Sequence, residues 1–574
     1  MNNKIIKHNL TAMTKLFTLL VLIVAGLFVF SVPAAGAGNT RYVDKDSKGG
    51  TCSDSNSGTI SQPWCTISKA NQTLSAGDTV YIRGGTYSEA IVPQTSGTSD
   101  TNMITYINYT GESPIISGIN GYPISFNNKQ YIKVKGITLK GNSRFAEISG
   151  SNNIVLDGNN FSDANFNTGY VSIFLYGGSH HNKIINNFIG NNSIGDIIRT
   201  SNGADYNLFE NNTVVNGGHS CINIRSRYNI IRNNVFDNPL EKATEIAYQV
   251  SGSWDVMGVA EFNVLENNII RNAGPTYNYN GLQLTAPKNI IRFNEFYNNI
   301  GSGIGLGTTG SGLGPGGNSV DPYADNNHIY HNTIYKNGIL VSQTQWQISY
   351  GMSLTEYNHD GTKVTNNKIV NNLFYKNNPN YNNPNYYSSS CKSDPNCLTT
   401  YPINFNVGNH VYQIDVDRNV QGTGNYFGSD QELLGPNFSQ NSNQNYLDPL
   451  FVDEANKNFK LTSGSPYIDK GEFLTKTVGS GNGNIVTVND AMYFTDGFGL
   501  VEGDTIKIGN DIVKITAINY NNNQLTINNN ITWSNSEGVS FPYSGSAPDI
   551  GAHEYQSTLG DTTPPAAPTG AREI

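Results

Sequence analysis

Charged residues are scarce in this chain, and basic residues are scarcer than acidic ones. Among 574 residues, Lys and Arg number 35 against 44 Asp and Glu, so the formal net charge is -9. This balance argues against nucleic acid as a partner, because binding to phosphates depends on clustered Lys and Arg. It argues more weakly against other polyanions, since a local basic patch can override the average.

Long apolar segments are also lacking, apart from one run near the N-terminus. Lysines precede the run Leu16–Phe30, and the small residues Ala35-Gly-Ala37 follow it. A helix that spans a bilayer needs about 20 apolar residues, and this run is shorter. The pattern is typical of an export signal, so we predict a signal peptide over 1–37, a mature chain that begins near Gly38 and is not held in a membrane, and a secreted or cell-surface location.

Cysteine is rare, with five in the chain. Cys52 and Cys65 flank a Ser/Gly-rich loop, and Cys391 and Cys397 flank a loop rich in Pro, Asp and Asn. Metal binding is the alternative, but no His or Cys partner has zinc-finger spacing. In an exported protein we therefore predict two disulfides, one within each pair. Cys221 is left without a partner, and we interpret it as an ordinary structural residue of a β-strand.

The most regular feature present is a short phrase, Asn-x-apolar-x-Asn, that follows β-rich runs. Its copies are Asn187–Asn191, Asn212–Asn216, Asn234–Asn238, Asn268–Asn272, Asn294–Asn298 and Asn367–Asn371, with a stretched copy at Asn332–Asn337. The first Asn recurs at steps of 25, 22, 34, 26, 38 and 35 residues, the last counted from 332 to 367. Repeats of this length whose units are strands predict a solenoid.

The chemistry of the repeat narrows the solenoid to a parallel β-helix. A short strand cannot bury its apolar face alone, whereas stacked copies put Ile, Val and Phe into one core. Asn suits the corners because it tolerates the left-handed backbone region, and stacked amides can hydrogen-bond along the stack. A leucine-rich horseshoe would need recurring Leu positions, and a disordered Asn-rich tract would lack the regular Ile and Val.

Both ends of the mature chain resemble secreted right-handed parallel β-helix proteins of the pectate-lyase-like superfamily. The segments that carry the resemblance are Tyr42-Val-Asp44, Gly77–Tyr87, Pro114–Gly118, Asp448–Asp453, Ser463–Gly471 and Pro548–Tyr555. The resemblance implies that a short helix plugs the first coil, and Ile67–Leu74 is the candidate. It covers nearly the whole mature chain for fold but reaches no family's full catalytic motif.

Alternating apolar and polar residues between Val501 and Ile527 predict a small β-barrel inserted near the C-terminus. The predicted organisation is a signal peptide over 1–37, an N-terminal cap and first coils over 38–118, a parallel β-helix over 119–471, the inserted domain over 472–547, a closing strand over 548–556, and a Pro/Thr-rich linker over 557–574.

One strand, within Gly218–Tyr228, carries an unusual set of polar residues. If Ile222 and Ile224 point into the core, alternation points His219, Cys221, Asn223, Arg225 and Arg227 outwards. Alignment of the Asn phrases places further polar residues on the adjacent coils, which lie about 4.8 Å apart. Asp196 and Arg199 are expected on one side, Asp255 and Glu261 on the other, and Tyr279 and Gln283 one coil further.

This mixture fits lyases and C5-epimerases of uronic-acid polymers, which neutralise a carboxylate, remove the adjacent carbon-bound proton and protonate the leaving oxygen. We assign His219 as acid/base and Arg225 as carboxylate partner or base. Asp196 and Asp255, together with Glu261, are supports or ligands of calcium, the one cofactor considered. The predicted substrate-binding residues are Arg199, Asn223, Arg227, Glu261, Tyr279 and Gln283.

Two departures from related families limit this assignment. The chain contains no Asp-Asp pair, which polygalacturonase-like hydrolases of this fold use, and no tight Asp cluster with Lys of the kind found in some calcium-dependent pectate lyases. The prediction is a secreted monomer that acts on an acidic polysaccharide by β-elimination or C5-epimerisation. The alternative is a non-catalytic cell-surface, adhesion or glycan-binding β-helix, whose exposed charge pairs keep the solenoid soluble.

Overall fold

The computed structural model describes residues 38–556 with internal gaps. The gaps are 120, 142–143, 163–170, 193–194, 202, 248–259, 276–279, 308–323, 339–350, 356–366, 378–403, 406–420, 424–439 and 442–447. The signal-peptide segment 1–37, the second predicted disulfide between Cys391 and Cys397, and the linker 557–574 lie outside the described residues. No helix in the described part of the chain is long and apolar enough to cross a membrane.

The chain coils through three long sheets, so that each coil gives one strand to each sheet in turn. Sheet 1 has 14 strands, sheet 2 has 11 and sheet 3 has 10, and successive coils pair in parallel. The strands of sheet 1 are Thr40–Val43, Thr79–Ile82, Ile104–Asn108, Gln130–Lys135, Asn152–Asp157, Lys183–Ile185, Leu208–Glu210, Ile230–Arg232, Val264–Glu266, Ile290–Arg292, His328–Tyr330, Lys368–Val370, Gln421–Thr423 and Gln440–Asn441.

The other two sheets share the same coils. The strands of sheet 2 are Thr86–Tyr87, Ile115–Ile116, Thr138–Leu139, Asn160–Phe161, Phe188–Asn192, Thr213–Gly217, Val235–Asp237, Ile269–Arg271, Glu295–Tyr297, Thr333–Tyr335 and Leu373–Tyr375. Those of sheet 3 are Ile124–Asn127, Ala146–Ser149, Val171–Tyr176, Asp196–Thr200, Ser220–Ile224, Lys242–Ile246, Leu282–Leu284, Ile304–Gly307, Met352–Thr355 and Asn404–Phe405, of which the last pairs antiparallel. The predicted parallel β-helix is confirmed.

The core is one continuous column of apolar side chains inside the coils. In the strand Gln130–Lys135, Ile132 and Val134 are fully buried while Lys133 and Lys135 face outwards. The same alternation on stacked strands joins apolar residues from Val43 to Phe374 in a single cluster. Burial along the whole stack supplies the stabilisation that no single short strand could provide.

A short helix, Ile67–Thr73, closes the first coil as predicted. The Thr66 side chain caps it by accepting a hydrogen bond from the Lys69 backbone N–H at 3.0 Å. Ile67 and Ala70 are fully buried and belong to the core column. The predicted disulfide between Cys52 and Cys65 is present next to this cap.

Buried Asn side chains form two long ladders, one at each end of the sheet 1 strands. The first contains Asn182, Asn207, Asn229, Asn263, Asn289, Asn327 and Asn367, and the second contains Asn159, Asn187, Asn212, Asn234, Asn268, Asn294, Asn332 and Asn372. In each rung the amide oxygen accepts a hydrogen bond from the backbone N–H of the equivalent Asn one coil earlier. The stacked amides satisfy one another inside the fold, as a buried polar network requires.

The last Asn phrase was aligned incorrectly from the sequence. Asn367 bonds to Asn327 in the first ladder, at 2.9 Å from the Asn327 backbone N–H, and not to Asn332. The equivalent of Asn332 is Asn372, whose side chain accepts at 3.0 Å, so the step is 40 residues and not 35. The error arose because the two ladders run five residues apart, so an Asn from one ladder can mimic the other.

The sequence suggested that the same Asn residues both hydrogen-bond along the stack and adopt the left-handed backbone conformation. In the structure, different Asn residues have these two roles. The ladder Asn residues do not have positive φ. Positive φ occurs instead at Asn186, Asn211, Asn216, Asn233, Asn238, Asn267, Asn272, Asn298 and Asn371. These residues turn the chain at the corners, where Asn has a smaller steric penalty than most residues.

Replacing a ladder Asn should destabilise the fold more than replacing an exposed one. In Asn212→Ala, the Asn187 backbone N–H (3.0 Å) and the Ile184 carbonyl (2.7 Å) lose their partners in a buried site. We expect the free energy of unfolding to fall by about 2–4 kcal/mol. Denaturant unfolding measures it, with Asn529→Ala at an exposed strand position as the control. Equal effects at the two sites would contradict a stabilising role for the ladder.

The insert forms a separate six-stranded sheet that packs on the outside of sheet 1. Its strands, in spatial order, are Thr475–Lys476, Gly538–Ser540, Thr505–Ile508, Asp511–Asn519, Gln524–Trp533 and Gly481–Thr487, with short 3₁₀ helices at Ala491–Tyr493 and Gly497–Gly499. Its core is continuous with outward residues of six consecutive sheet 1 strands, Leu208, Ile230, Val264, Ile290, Tyr330 and Val370. The predicted small β-domain near the C-terminus is confirmed, while its exact limits at 472 and 547 stay a prediction.

The segments expected to close the β-helix lie beside it and do not extend it. Phe451–Asp453 and Asn458–Leu461 pair antiparallel as their own two-stranded sheet. No strand occurs at residues 548–556, all of which are described, so the predicted closing strand is wrong. Instead Phe459 and Ile550 join a cluster with outward Tyr and Leu side chains of sheet 2. These segments therefore pack on the outer face of sheet 2.

Candidate active site

The polar cluster predicted from the sequence lies on the outward face of sheet 3, where three adjacent strands carry it. Register places Asp196, Ser220 and Lys242 in one row across the strands. A second row contains Arg199, Asn223 and Glu245. His219 lies just before the first residue of the middle strand, at the corner between sheets 2 and 3.

The corner disturbs the alternation on which the sequence prediction relied. Cys221 does not point outwards: it is fully buried, and its Sγ lies 3.4 Å from the carbonyl oxygen of Val214. Cys221 and Ile222 both face the core, because the chain bends at Gly218 and His219 and regular alternation begins only at Ile222. Asn223 follows on the outward face.

Asp196 is the anchor of the cluster. Its Oδ1 accepts hydrogen bonds from His219 Nδ1 at 2.7 Å and Ser220 Oγ at 2.5 Å, and its Oδ2 accepts one from Asn223 Nδ2 at 3.2 Å. Burial would raise the pKa of Asp196, but the hydrogen bonds from His219 and Ser220 outweigh it and hold the pKa below its ordinary value. The carboxylate is therefore ionised and fixes Nδ1 of His219 as a proton donor.

The opposite edge of the His219 ring faces a lysine that the sequence prediction missed. Lys242 Nζ lies 3.0 Å from His219 Nε2. Burial would lower the pKa of His219, but the hydrogen bond to Asp196 and the charge of Glu245 raise it above its ordinary value. At 3.0 Å only one proton fits between Nε2 and Nζ, so either the ammonium donates to a neutral imidazole or the imidazolium donates to a neutral amine.

Glu245 completes the cluster from the next coil. Its Oε2 accepts a hydrogen bond from Asn223 Nδ2 at 2.8 Å, and its Oε1 lies 3.3 Å from Lys242 Nζ. Burial would raise the pKa of Glu245, but the charges of Lys242 and His219 lower it below its ordinary value. Asn223, which is fully buried, thus links both carboxylates. Of the two nitrogen bases only His219 is substantially exposed, with 32% of its side chain accessible against 8% for Lys242.

Two arginines border the cluster. Arg225 Nε donates to Asn223 Oδ1 at 3.1 Å, and the Arg225 side chain is partly exposed. Arg199 is also partly exposed and is the register partner of Asn223 on the preceding coil. The charge of Arg225 acts on Glu245 and that of Arg199 acts on Asp196, so both partly exposed guanidinium groups border the cluster, where an anionic group could meet them.

The structure does not bring every predicted residue to this place. Arg227 and Glu261 pair with each other at the corner before sheet 1, at 3.4 Å, and Lys288 adds a second contact to Glu261 at 3.1 Å. Gln283 is the register partner of Glu245 on the following coil and so extends the second row. Asp255 and Tyr279 lie outside the described residues.

Lys242 and Glu245 could have been found by counting from the ladder. Ser220 lies eight residues after Asn212, and Lys242 lies eight residues after Asn234. The sequence prediction looked further along, at Asp255 and Glu261, because it treated the long step of 34 residues as uniform. The extra residues follow the strand Lys242–Ile246 and do not precede it.

The residues at this cluster do not fit a calcium ion. Both oxygens of Asp196 accept hydrogen bonds from protein donors, and the Lys242 side chain lies between Glu245 and His219. Calcium requires several free oxygen ligands. Within the described ranges no group of three or more His, Cys, Asp or Glu side chains could hold a metal ion.

Stability should depend on pH through His219, with a sign set by its raised pKa. The stabilisation is fully present below the ordinary His pKa of about 6.5 and is lost as pH rises through the higher pKa of the folded state. The difference in unfolding free energy between wild type and His219→Gln should therefore shrink from about pH 5.5 to pH 9. Taking the difference between the two proteins at each pH cancels the contributions of other titrating groups. One of these is His331, whose burial lowers its pKa to about 4. A difference that grows with pH would contradict the assignment.

The fold and the site define a parallel β-helix protein with a buried charge cluster on one sheet. Residues 49–193 match the family described as Pel9A-like, right handed beta helix region. This match confirms the resemblance seen in the sequence, and it ends before Asp196. The uncharacterized protein YwoF of Bacillus subtilis (strain 168) is 36% identical over 112 residues, which are 18% of this chain and 23% of YwoF. The match thus spans about a quarter of that relative.

Several solved structures align with this chain at low sequence identity. Pectate lyase Pel9A is 13% identical with a TM-score of 0.34, over 91% of this chain and 98% of its own. The A-module of mannuronan C-5 epimerase AlgE4 of Azotobacter vinelandii is 11% identical with a TM-score of 0.39, over 63% and 91%. XylC in complex with xylose is 12% identical with a TM-score of 0.41, over 88% and 100%.

Proposed function

We propose that the protein is an exported enzyme that acts on an acidic polysaccharide by β-elimination or C5-epimerisation at the outward face of sheet 3. The observation that supports this most directly is the placement of His219. Two buried ionised carboxylates, Asp196 and Glu245, hold a partly exposed imidazole against Lys242. Such a cluster is costly to bury, and it provides a proton donor and a proton acceptor side by side.

The geometry suits proton transfer at carbon. Arg225, whose Nε donates to Asn223 Oδ1 within the cluster, would bind the carboxylate of a uronic acid and so acidify the adjacent carbon-bound proton. The proton-deficient nitrogen of the His219–Lys242 pair takes that proton. In elimination the electron pair forms a double bond as the bond to the leaving oxygen breaks, and that oxygen takes up the proton carried by the protonated nitrogen of the pair. In epimerisation no bond to oxygen breaks, and a proton from solvent water adds to the opposite face of the same carbon.

The cluster differs from the charge pairs that keep a solenoid soluble. After the first strand of sheet 1, Lys45 lies 2.8 Å from Asp46, with 39% and 41% of the two side chains exposed. Exposed pairs of that kind contribute little and need no buried support. Asp196 is 3% exposed, so its ionisation depends on the hydrogen bonds it receives.

Incubation with pectate, alginate and glycosaminoglycans tests the proposal. Unsaturated ends, read by their ultraviolet absorbance, would support elimination, and altered uronic-acid stereochemistry, read by NMR, would support epimerisation. Neither product on any polymer would overturn both. Saturable binding without turnover that survives His219→Ala and Arg225→Ala would favour the glycan-binding alternative. Parallel assays with calcium and with a chelator test the calcium prediction, and N-terminal sequencing of protein from the medium tests export near Gly38.

A further inference from the structure

The outward row that contains Asn223 continues towards the N-terminus with an aromatic ring. Register joins Glu147, Phe174, Arg199 and Asn223 on four consecutive coils. The neighbours of Phe174 in sequence, Ile173 and Leu175, are fully buried in the core, so the phenyl ring projects outwards, where it is partly exposed. An apolar ring in an outward row of polar residues is not required by the β-helix itself.

Cationic groups flank this ring on both sides. The guanidinium carbon of Arg144 lies 5.0 Å from the centre of the Phe174 ring, and that of Arg199 lies 5.7 Å from it. Tyr176 stacks on the same ring with centroids 4.7 Å apart. Arg144 is held by Glu147, whose Oε1 accepts its hydrogen bond at 2.6 Å. A partly exposed aromatic ring can contact a sugar ring, and guanidinium groups beside it can pair with the carboxylate of that sugar.

The spacing of the coils relates this surface to the candidate active site. Adjacent coils lie about 4.8 Å apart, close to the advance of one sugar in a polysaccharide. Arg199 is one coil from the strand that follows His219, and Phe174 is two coils from it. A polymer that lies along the helix axis with one sugar at His219 would therefore place its next sugar at Arg199 and the following one at Phe174.

The opposite direction lacks these groups. Beyond Glu245, the same row continues with Gln283, Gly305 and Ser353. This stretch of the row, within the described coils, contains no cationic and no aromatic residue. Among the described residues of this row, an acidic polymer would find aromatic contact and charge pairing on the N-terminal side of His219.

We propose that Arg144 and Phe174 form a subsite for the negatively charged sugar two units from the reacting one, on the N-terminal side of His219, and that Arg199 contacts the sugar between them. This inference rests on the proposed function, because it takes the polymer to be acidic and the reacting sugar to lie at His219. It assigns a direction to the bound polymer and makes a trimer the shortest ligand that uses the whole surface.

Calorimetric titration with oligogalacturonates and oligoalginates of increasing length tests the subsite. Affinity should rise from dimer to trimer in the wild-type protein. In Phe174→Ala, trimers and longer oligomers should bind about five- to tenfold more weakly while dimers bind as before. Tyr81→Ala, which removes a partly buried outward ring on sheet 1, is the matched control and should change neither. Circular dichroism confirms that both variants fold.

The outcomes separate this inference from the proposed function. Equal weakening of dimers and trimers, no weakening, or equally tight binding of neutral xylo-oligosaccharides would overturn the subsite even if the protein turns over its polymer. Absence of saturable binding by any acidic oligomer would overturn it as well. A length-dependent loss in Phe174→Ala in a protein that makes no product would support the subsite and contradict the catalytic role of His219.

Discussion

His219→Ala should lower turnover of an acidic polysaccharide by about 100- to 10,000-fold, the range that a positioned acid/base group contributes. Loss of the imidazole leaves Lys242 without the partner with which it shares a proton, and leaves Asp196 without one of its donors. The pH dependence of turnover in the variant should also differ from that of the wild type, because the pKa of His219 is raised in the wild-type protein. Initial rates across pH with the polymer identified in the first screen measure both effects.

His180→Ala is the control for this experiment, because His180 is an exposed imidazole near sheet 1. It should retain turnover within about a factor of two, as expected for an exposed substitution remote from the reaction. Asp196→Asn separates positioning from chemistry, because it keeps the shape of the side chain and removes the charge that raises the His219 pKa. Retention of more than half of the activity in His219→Ala would sink the assignment.

Arg292→Met should lower the free energy of unfolding by about 3–5 kcal/mol, the loss typical of one partner removed from a buried ion pair. Arg292 is 1% exposed and binds both oxygens of Asp504 at 2.7 Å, across the contact between sheet 1 and the insert. Its Nε also donates to Glu266 at 2.7 Å. Without the guanidinium, two carboxylates remain buried without a cation. Denaturant unfolding monitored by tryptophan fluorescence measures the change.

The matched control is Arg232→Met on the same outward row of sheet 1, which joins Arg232, Glu266 and Arg292. Arg232 pairs with Glu210 at 2.6 Å but is partly exposed. Its loss should cost about 1 kcal/mol or less. Similar losses in the two variants would show that the insert does not depend on the buried pair.

The fold was accessible from the sequence because the buried amide ladders need one residue type at fixed positions. Asp196 and His219 were brought together on the same basis, since their coils align through Asn187 and Asn212. The alignment was ambiguous where a second Asn occurs five residues away, and Asn367 was placed in the wrong ladder for that reason.

The residues that sequence reasoning missed depend on where a loop interrupts the coil. Lys242 and Glu245 occupy the strand directly after the corner, whereas the prediction looked at Asp255 and Glu261, which come after this strand in sequence. Cys221 was placed outside because alternation was carried through the corner, where the chain direction changes. Strand periodicity predicts orientation within a strand and does not predict it across a turn.

The fixed distance between the two ladders determines where the chain can change its length. Asn207 and Asn212, like every other pair of rungs on one coil, are five residues apart, so an inserted residue there would break two stacks at once. The path from the second Asn to the next coil varies, from 17 residues between Asn212 and Asn229 to 35 between Asn332 and Asn367. This variable path contains the strands of sheets 2 and 3 and the connections beside them. Residues can therefore be added between the second Asn and the next coil without disturbing the two ladders, so one column of amides can support different outward surfaces on sheet 3.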